Sequence, residues 1–183
     1  HGIPGKRRLK EGDIVSVDCG TVYEGYVGDA AFTEMVGEAS DEARRLVAAT
    51  EGALFAGIAQ MVAGNHLGDV SAAIQAYAEE RGFHVTREYT GHGVGRAMHE
   101  GPQAPNYGTP GRGMVLRAGM TIALEPMLLV GTPYTKVLPD QWTVSSADGS
   151  LTAHFEHTIA VTENGPLILT TQGDGSILDG KWK

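Results

Sequence analysis

The sequence predicts an α+β domain with a mainly antiparallel sheet and two helices packed on its outer face. Three observations lead there: strand-like runs both precede and follow a helical stretch, that stretch carries two separate helical periodicities, and turn signals sit between the strand-like runs. The first strand is read at residues 13–19, through Ile14-Val15-Ser16-Val17-Asp18-Cys19, and the second at residues 28–36, with Glu24-Gly25 turning between them as a hairpin. Ser40 and Asp41 cap a first helix that carries Val47, Leu54, Ile58, Met61 and Val62 and stops at Gly64. A second helix begins near Asp69, sets Val70, Ala73, Ile74, Tyr77 and Ala78 on one face and ends at Gly82. Beyond Gly82 short strands alternate with loops rich in Gly and Pro, above all residues 101–119, a composition that shapes the surroundings of a site. Further strands are read at residues 121–130, 142–146, 151–162 and 166–170, with Asn164-Gly165 as a hairpin turn. Residues 1–171 thus form one domain, and residues 172–183 read as a polar tail.

Composition narrows the function. The 183 residues include 22 acidic side chains against 14 Lys and Arg, a formal charge of −8 that disfavours a main role in gripping nucleic acid. The single cysteine, Cys19, leaves no intramolecular disulfide framework and points to the cytoplasm. The most apolar stretch, residues 46–64, is interrupted by Glu51 and Gln60 and falls short of the roughly 20 apolar residues of a membrane span.

Chemistry concentrates in two constellations. Asp18, Asp29, Glu125 and Glu156 each lie inside an apolar strand-like run, where an ionised carboxylate costs several kcal/mol unless it is paired, hydrogen-bonded or metal-bound. One such residue would be read as facing the wet side of a strand; four together favour metal. Alternation sets Glu125 opposite Ile122 and Leu124, and Glu156 opposite Phe155 and Ile159, so both can project into one cavity. The second constellation is Gly91-His92-Gly93-Val94-Gly95-Arg96-Ala97-Met98-His99-Glu100. It lacks both phosphate-loop spacings, so His92 reads as a ligand beside the carboxylates. Four carboxylates carry −4 and two divalent cations +4, so a dinuclear centre would be neutral. An oxygen-rich set with one imidazole suits Mn, Fe(II), Co or Zn. Two such ions lower the pKa of a shared water and make hydrolysis the implied reaction.

His1-Gly2-Ile3-Pro4, Val17-Asp18-Cys19-Gly20 followed by Gly28-Asp29, Gly91-His92-Gly93-Val94-Gly95, Glu125-Pro126-Met127 and Phe155-Glu156-His157-Thr158 together resemble the type I methionine aminopeptidases, in order and over nearly the whole domain. The resemblance implies the pita-bread fold and a dinuclear metallopeptidase that removes the initiator methionine when the next residue is small. It implies that Asp18 chelates one ion, that Asp29 and Glu156 bridge both, and that His92 and Glu125 bind the other. Glu125 would also handle the proton of the attacking hydroxide's parent water, His99 would contact the scissile carbonyl, and His1 would bond the nitrogen of the cleaved bond. Trp142 matches a wall of the methionine pocket, with an ordinary core aromatic as the alternative. Met98 stands where many relatives have Phe and offers a flexible thioether to the same pocket. His66, His84 and His154 are expected on the surface or in hydrogen bonds.

The implied partners are N-terminal peptides of nascent chains, with room for a transient ribosome contact, no specific nucleic acid, no membrane and a monomeric state. Relatives carry a segment ahead of His-Gly-Ile-Pro, so the domain is expected to be N-terminally incomplete, with sheet and helix surface exposed. Within the same fold, an Xaa-Pro aminopeptidase or dipeptidase would use a similar ligand set, and a non-catalytic binding module would have lost ligands that this chain keeps.

Overall fold

The computed structural model describes residues 1–171, so the expected polar tail lies outside the described residues. Strands β1 (Ile14–Tyr23) and β2 (Tyr26–Met35) form the expected hairpin, paired from Ile14 with Met35 to Tyr23 with Tyr26. Its turn needs two residues in the left-handed region, and Glu24 (φ 50°) and Gly25 (φ 82°) supply them, the twist that matches a two-residue hairpin. Helix α1 (Asp41–Ile58) opens on Ser40, whose hydroxyl accepts from Ala43 N at 3.2 Å, and carries Asp41 and Glu42 at its positive end. It ends before Gly64 because the following segment is drawn into backbone exchange with Leu116, through Gly64 N to Leu116 O and Leu116 N to Asn65 O. Helix α2 (Leu67–Glu79) starts slightly earlier than the sequence indicates. Asp69 acts from inside the first turn, accepting from His66 N at 2.7 Å and from Gly111 N at 2.7 Å, which also fastens the Gly- and Pro-rich loop to the helix.

After α2 come β3 (His84–Val85), β4 (Thr90–Gly93), β5 (Glu100–Pro105), β6 (Thr121–Leu124), β7 (Met127–Leu129), β8 (Thr135–Val137), β9 (Val144–Ser146), β10 (Thr152–His154), β11 (His157–Thr162) and β12 (Gly165–Ile168). All strand pairs are antiparallel, in sheets ordered β12-β11-β6-β4-β5, β10-β7-β3, β1-β2 and β8-β9. The two long strands read at residues 121–130 and 151–162 are each broken in two. β6 and β11 pair in the larger sheet, and β7 and β10 in the smaller. The break falls at Glu125-Pro126 opposite Phe155-Glu156, where Pro126 has no N–H to give to a ladder and offers only its carbonyl to Phe155 N at 3.3 Å.

Helix α1 packs on α2, β10 and β7, and α2 also packs on β3 and β5, so both helices cover one side of the sheets. The core runs between them through Leu46, Leu54, Ile58, Val70, Ile74, Leu116, Ile122, Leu124, Leu128 and Ile159. The β1-β2 hairpin joins the larger sheet at one line. Ala31 and Glu156 exchange backbone hydrogen bonds, and the Thr158 hydroxyl accepts from Asp29 N at 3.0 Å and donates to Asp29 O at 2.8 Å. Among the described residues no helix is long and apolar enough to cross a membrane.

Candidate metal centre and peptide cavity

The site collects at the strand break. On the hairpin Asp29 pairs with Gly20, two positions from Asp18, so the two aspartates share a face. His92 lies in β4 at a bulge between His92 and Gly93, and its Nδ1 pairs with Gly93 O at 2.9 Å, leaving Nε2 free for the cluster. Glycine is required on both sides of it, since a Cβ on Gly91 would meet the Ala123 carbonyl and one on Gly93 the Gly101 carbonyl. Glu125 and Glu156 project from the two broken strands, and Asn106, fully buried, donates to Glu125 O at 3.1 Å and steadies that break.

Asp29, His92 and Glu156 each offer one ligand atom, all within 4.8 Å of one another. His92 Nε2 also stands 3.5 Å from Glu125 Oε1 and 3.7 Å from Asp29 Oδ2. Asp18 sits on the more open side, close enough to raise the pKa values of Asp29, Glu125 and Glu156. Burial pushes Glu125 up to about 8, with Asp18 and Asp29 adding repulsion, and pushes Glu156 up to about 10, with Glu125, Asp29 and Asp18 adding theirs. Burial also raises Asp18 and Asp29. Among the described residues no lysine or arginine pairs with any of the four, and Glu156 Oε1 is buried without a hydrogen-bond partner. Mutually repelling carboxylates around one imidazole, with a buried oxygen left unpaired, fit a divalent cation of the Mn, Fe, Co or Zn kind.

A cavity of about 400 Å³ opens above the cluster, lined by His1, Tyr89, His92, His99, Gln103 and Glu125 among others. The exposed ring of His99 lies 4.4 Å from that of His92, and the ring of His1 stands edge-on to Tyr89 at 5.0 Å. Of the two expected pocket residues, neither lines this cavity. Met98 packs its thioether end against Gly20 of β1. Trp142, neither a core aromatic nor a cavity wall here, lies in the turn between β8 and β9 and is 62% exposed. A second, apolar cavity of about 450 Å³ lies beneath the opposite face of the hairpin, between Val17, Cys19 and Phe32 and the α1 residues Leu54 and Phe55.

Residues 1–163 match the model of metallopeptidase family M24. The chain belongs to that family. It is 53% identical over 171 residues to a methionine aminopeptidase of Clostridium acetobutylicum, an alignment that covers 93% of this chain and 68% of that one. It is 52% identical to methionine aminopeptidase 1 of Mycobacterium tuberculosis, covering 93% and 66%. The crystal structure of methionine aminopeptidase from Thermotoga maritima superposes with a TM-score of 0.88 at 55% identity, over 90% of this chain and 66% of that one. The prolidase from Pyrococcus furiosus superposes at 0.74 with 25% identity, over 94% and 45%. The chain therefore spans about two thirds of the length of the methionine aminopeptidases it matches. The type I methionine aminopeptidase resemblance, the α+β pita-bread fold and the reading as a methionyl aminopeptidase are borne out.

In this M24 chain the sequence leaves three site residues unmarked. Asn106 sits inside the Gly- and Pro-rich loop, Thr158 hides in the strand after Glu156, and His154 was expected on the surface or in a hydrogen bond. His154 is instead buried, its Nε2 has no hydrogen-bond partner, and it stands 3.7 Å from Glu125 Oε2. Burial pushes its pKa down to about 4. The one available signal was its place two residues before Glu156, which on a continuous strand sets both side chains on one face. His157 turns away and pairs its Nδ1 with the Thr170 hydroxyl at 2.8 Å.

Proposed function

We propose that the chain removes the initiator methionine from new proteins, with residues 1–171 as the catalytic domain. Asp18, Asp29, His92, Glu125 and Glu156 hold two divalent cations, and His1 and His99 engage the peptide. The observation that carries this reading is the convergence of Asp29, His92 and Glu156 ligand atoms within 4.8 Å, beside Glu125, at the floor of a cavity. The ions, when bound, supply Lewis acidity that polarises the scissile carbonyl and lowers the pKa of water at neutral pH.

The chain's own groups do the rest. A Glu125 carboxylate oxygen takes a proton from the attacking water and passes it to the leaving amine, a task that needs only hydrogen-bond reach to both. His99, on the cavity rim beside His92, donates to the carbonyl oxygen as charge develops there. His1 faces it across the cavity and bonds the nitrogen of the first peptide bond. Met98 and Trp142 act on the methionine side chain only once a substrate draws them toward the cavity. The setting is the cytoplasm, where a monomer meets nascent N-terminal peptides with a transient ribosome contact, and the net charge of −8 supports a role without specific nucleic acid.

Release of free methionine from a Met-Gly-Ser peptide, with Mn(II) or Co(II) added and again after chelation, tests this reading. Chelator-sensitive release is expected. Faster cleavage of Xaa-Pro peptides than of Met-Gly-Ser would transfer the chain to prolidase-type chemistry, and tight Co(II) binding without any cleavage would leave a binding module.

A further inference from the structure

We propose that His154 is a positioning residue of the metal centre, its Nε2–H held against Glu125 Oε2 so that Oε1 stays turned toward the cation shared with His92. The inference rests on the metallopeptidase reading and deepens it. His154 ends β10, opposite Met127 of β7, at the point where both long strands break. Its backbone is clamped by one side chain from the hairpin. Thr33 Oγ1 accepts from His154 N at 2.9 Å and donates to His154 O at 2.8 Å. These bonds fix the backbone at His154, and burial confines its ring. It is buried, with Nε2 unpaired, 3.7 Å from Glu125 Oε2, while His92 Nε2 stands 3.5 Å from the other oxygen of the same carboxylate.

Glu125 is thus bracketed between two imidazoles, and that of His92 also lies within 4.8 Å of ligand atoms on Asp29 and Glu156. A buried imidazole with an unpaired nitrogen costs free energy, and a separation of 3.7 Å leaves no room for a water between the two groups. A carboxylate rotation that closes this gap by about 0.5–1 Å makes the hydrogen bond. Second partners of metal-binding carboxylates act in this way, fixing which oxygen faces the ion. The clamp also links the hairpin that carries Asp18 and Asp29 to the strand break that carries Glu125 and Glu156, through Thr33 and His154.

The test uses the full chain and its His154→Gln and His154→Leu variants. Gln keeps an N–H donor at comparable reach, and Leu keeps the bulk and removes the donor. Co(II) affinity by titration calorimetry, the visible absorption of bound Co(II), and kcat and KM on Met-Gly-Ser are measured for all three. We expect His154→Leu to lose roughly 10- to 100-fold in Co(II) affinity and to alter the Co(II) spectrum, with kcat falling more than KM changes, and His154→Gln to restore most of both. Wild-type affinity and spectrum in His154→Leu would reduce His154 to packing. Equal loss in both variants, with the spectrum of a missing nitrogen ligand, would make it a direct ligand and overturn the positioning role. Should His154→Leu fail to fold, the imidazole nitrogens of the wild-type chain decide by ¹⁵N NMR: a protonated Nε2 with Zn(II) bound is required, and a bare one refutes the proposal. A wild-type chain that binds no Co(II) would bring down the metal-centre reading and this inference together, an outcome distinct from Co(II) binding that ignores residue 154.

Discussion

At the residue scale the centre is a balance between repulsion and cation. Glu125 and Glu156 hold protons in the folded chain up to about pH 8 and about pH 10, whereas the unfolded chain releases them near 4.5. Above pH 4.5 the folded state therefore binds more protons, and stability falls as pH rises. His154 and His157 act in the opposite sense between about 4 and 6.5, because burial holds both neutral where the unfolded chain is charged. Above about pH 6.5 the two carboxylates outweigh the N-terminal amine of His1, whose pKa burial lowers and which acts against them. In EDTA the melting temperature should thus decline steadily from pH 6.5 to 8, and saturating Mn(II) should remove the decline; a flat or rising profile in EDTA would refute the buried-carboxylate account. Glu156→Gln deletes the most strongly perturbed acid. At pH 7.5 in EDTA it should raise the melting temperature by several degrees, yet weaken Mn(II) binding by at least about 100-fold in calorimetry, since it removes a charged oxygen at the cluster. His99 makes a different case, exposed and with its ring tilted against that of His92. His99→Ala should leave Mn(II) affinity and folding intact while kcat for Met-Gly-Ser drops about 10²–10³-fold, the usual loss for one oxyanion donor.

At the element scale the hairpin β1-β2 is the more loosely tied half of the candidate ligand set. It carries Asp18 and Asp29, pairs only with itself in the sheet order, and is tied to β11 by the Ala31–Glu156 exchange and the Thr158 hydroxyl. Beneath it lies an apolar cavity where helix and hairpin do not fully meet. Thr158→Val keeps the shape and removes both bonds to Asp29, leaving a buried N–H without its partner. We expect a loss of about 1–3 kcal/mol in urea unfolding, with hydrogen exchange accelerated in β1 and β2 and unchanged in α1 and α2. Uniform acceleration across the chain would show that the hairpin and the helices open as one unit. The strand breaks act at the same scale. Had β6 and β7 run on as one strand, Glu125 would sit in a regular ladder, and Pro126 prevents this.

At the scale of the whole molecule, acidity and exposed apolar surface oppose each other. A net charge of −8 keeps copies apart, while Val22, Tyr23 and Tyr26 at the hairpin tip are 69%, 73% and 56% exposed on a two-stranded sheet. Raising salt screens the charge and leaves the apolar tip, so association should grow with ionic strength. The double variant Val22→Thr with Tyr23→Lys should suppress that growth in sedimentation velocity without changing Mn(II) affinity. Association unaffected by the pair would place the sticky surface elsewhere.

What the sequence determined by itself is whatever depends on neighbours along the chain. The Glu24-Gly25 hairpin, the Ser40 cap, the apolar faces of α1 and α2, and the motif positions of the five candidate ligands are all local or motif-borne. The tertiary structure alone decided where the long strands break, that His154 is buried against Glu125, that Asn106 braces that turn, and that Trp142 stands in solvent. These depend on contacts such as that between Asp29 and Thr158, 129 residues apart. Periodicity reports which face a residue takes within its own element, and it carries no information on what another element brings to that face. A buried, unpaired imidazole beside a carboxylate becomes visible only when two strands cross at their breaks.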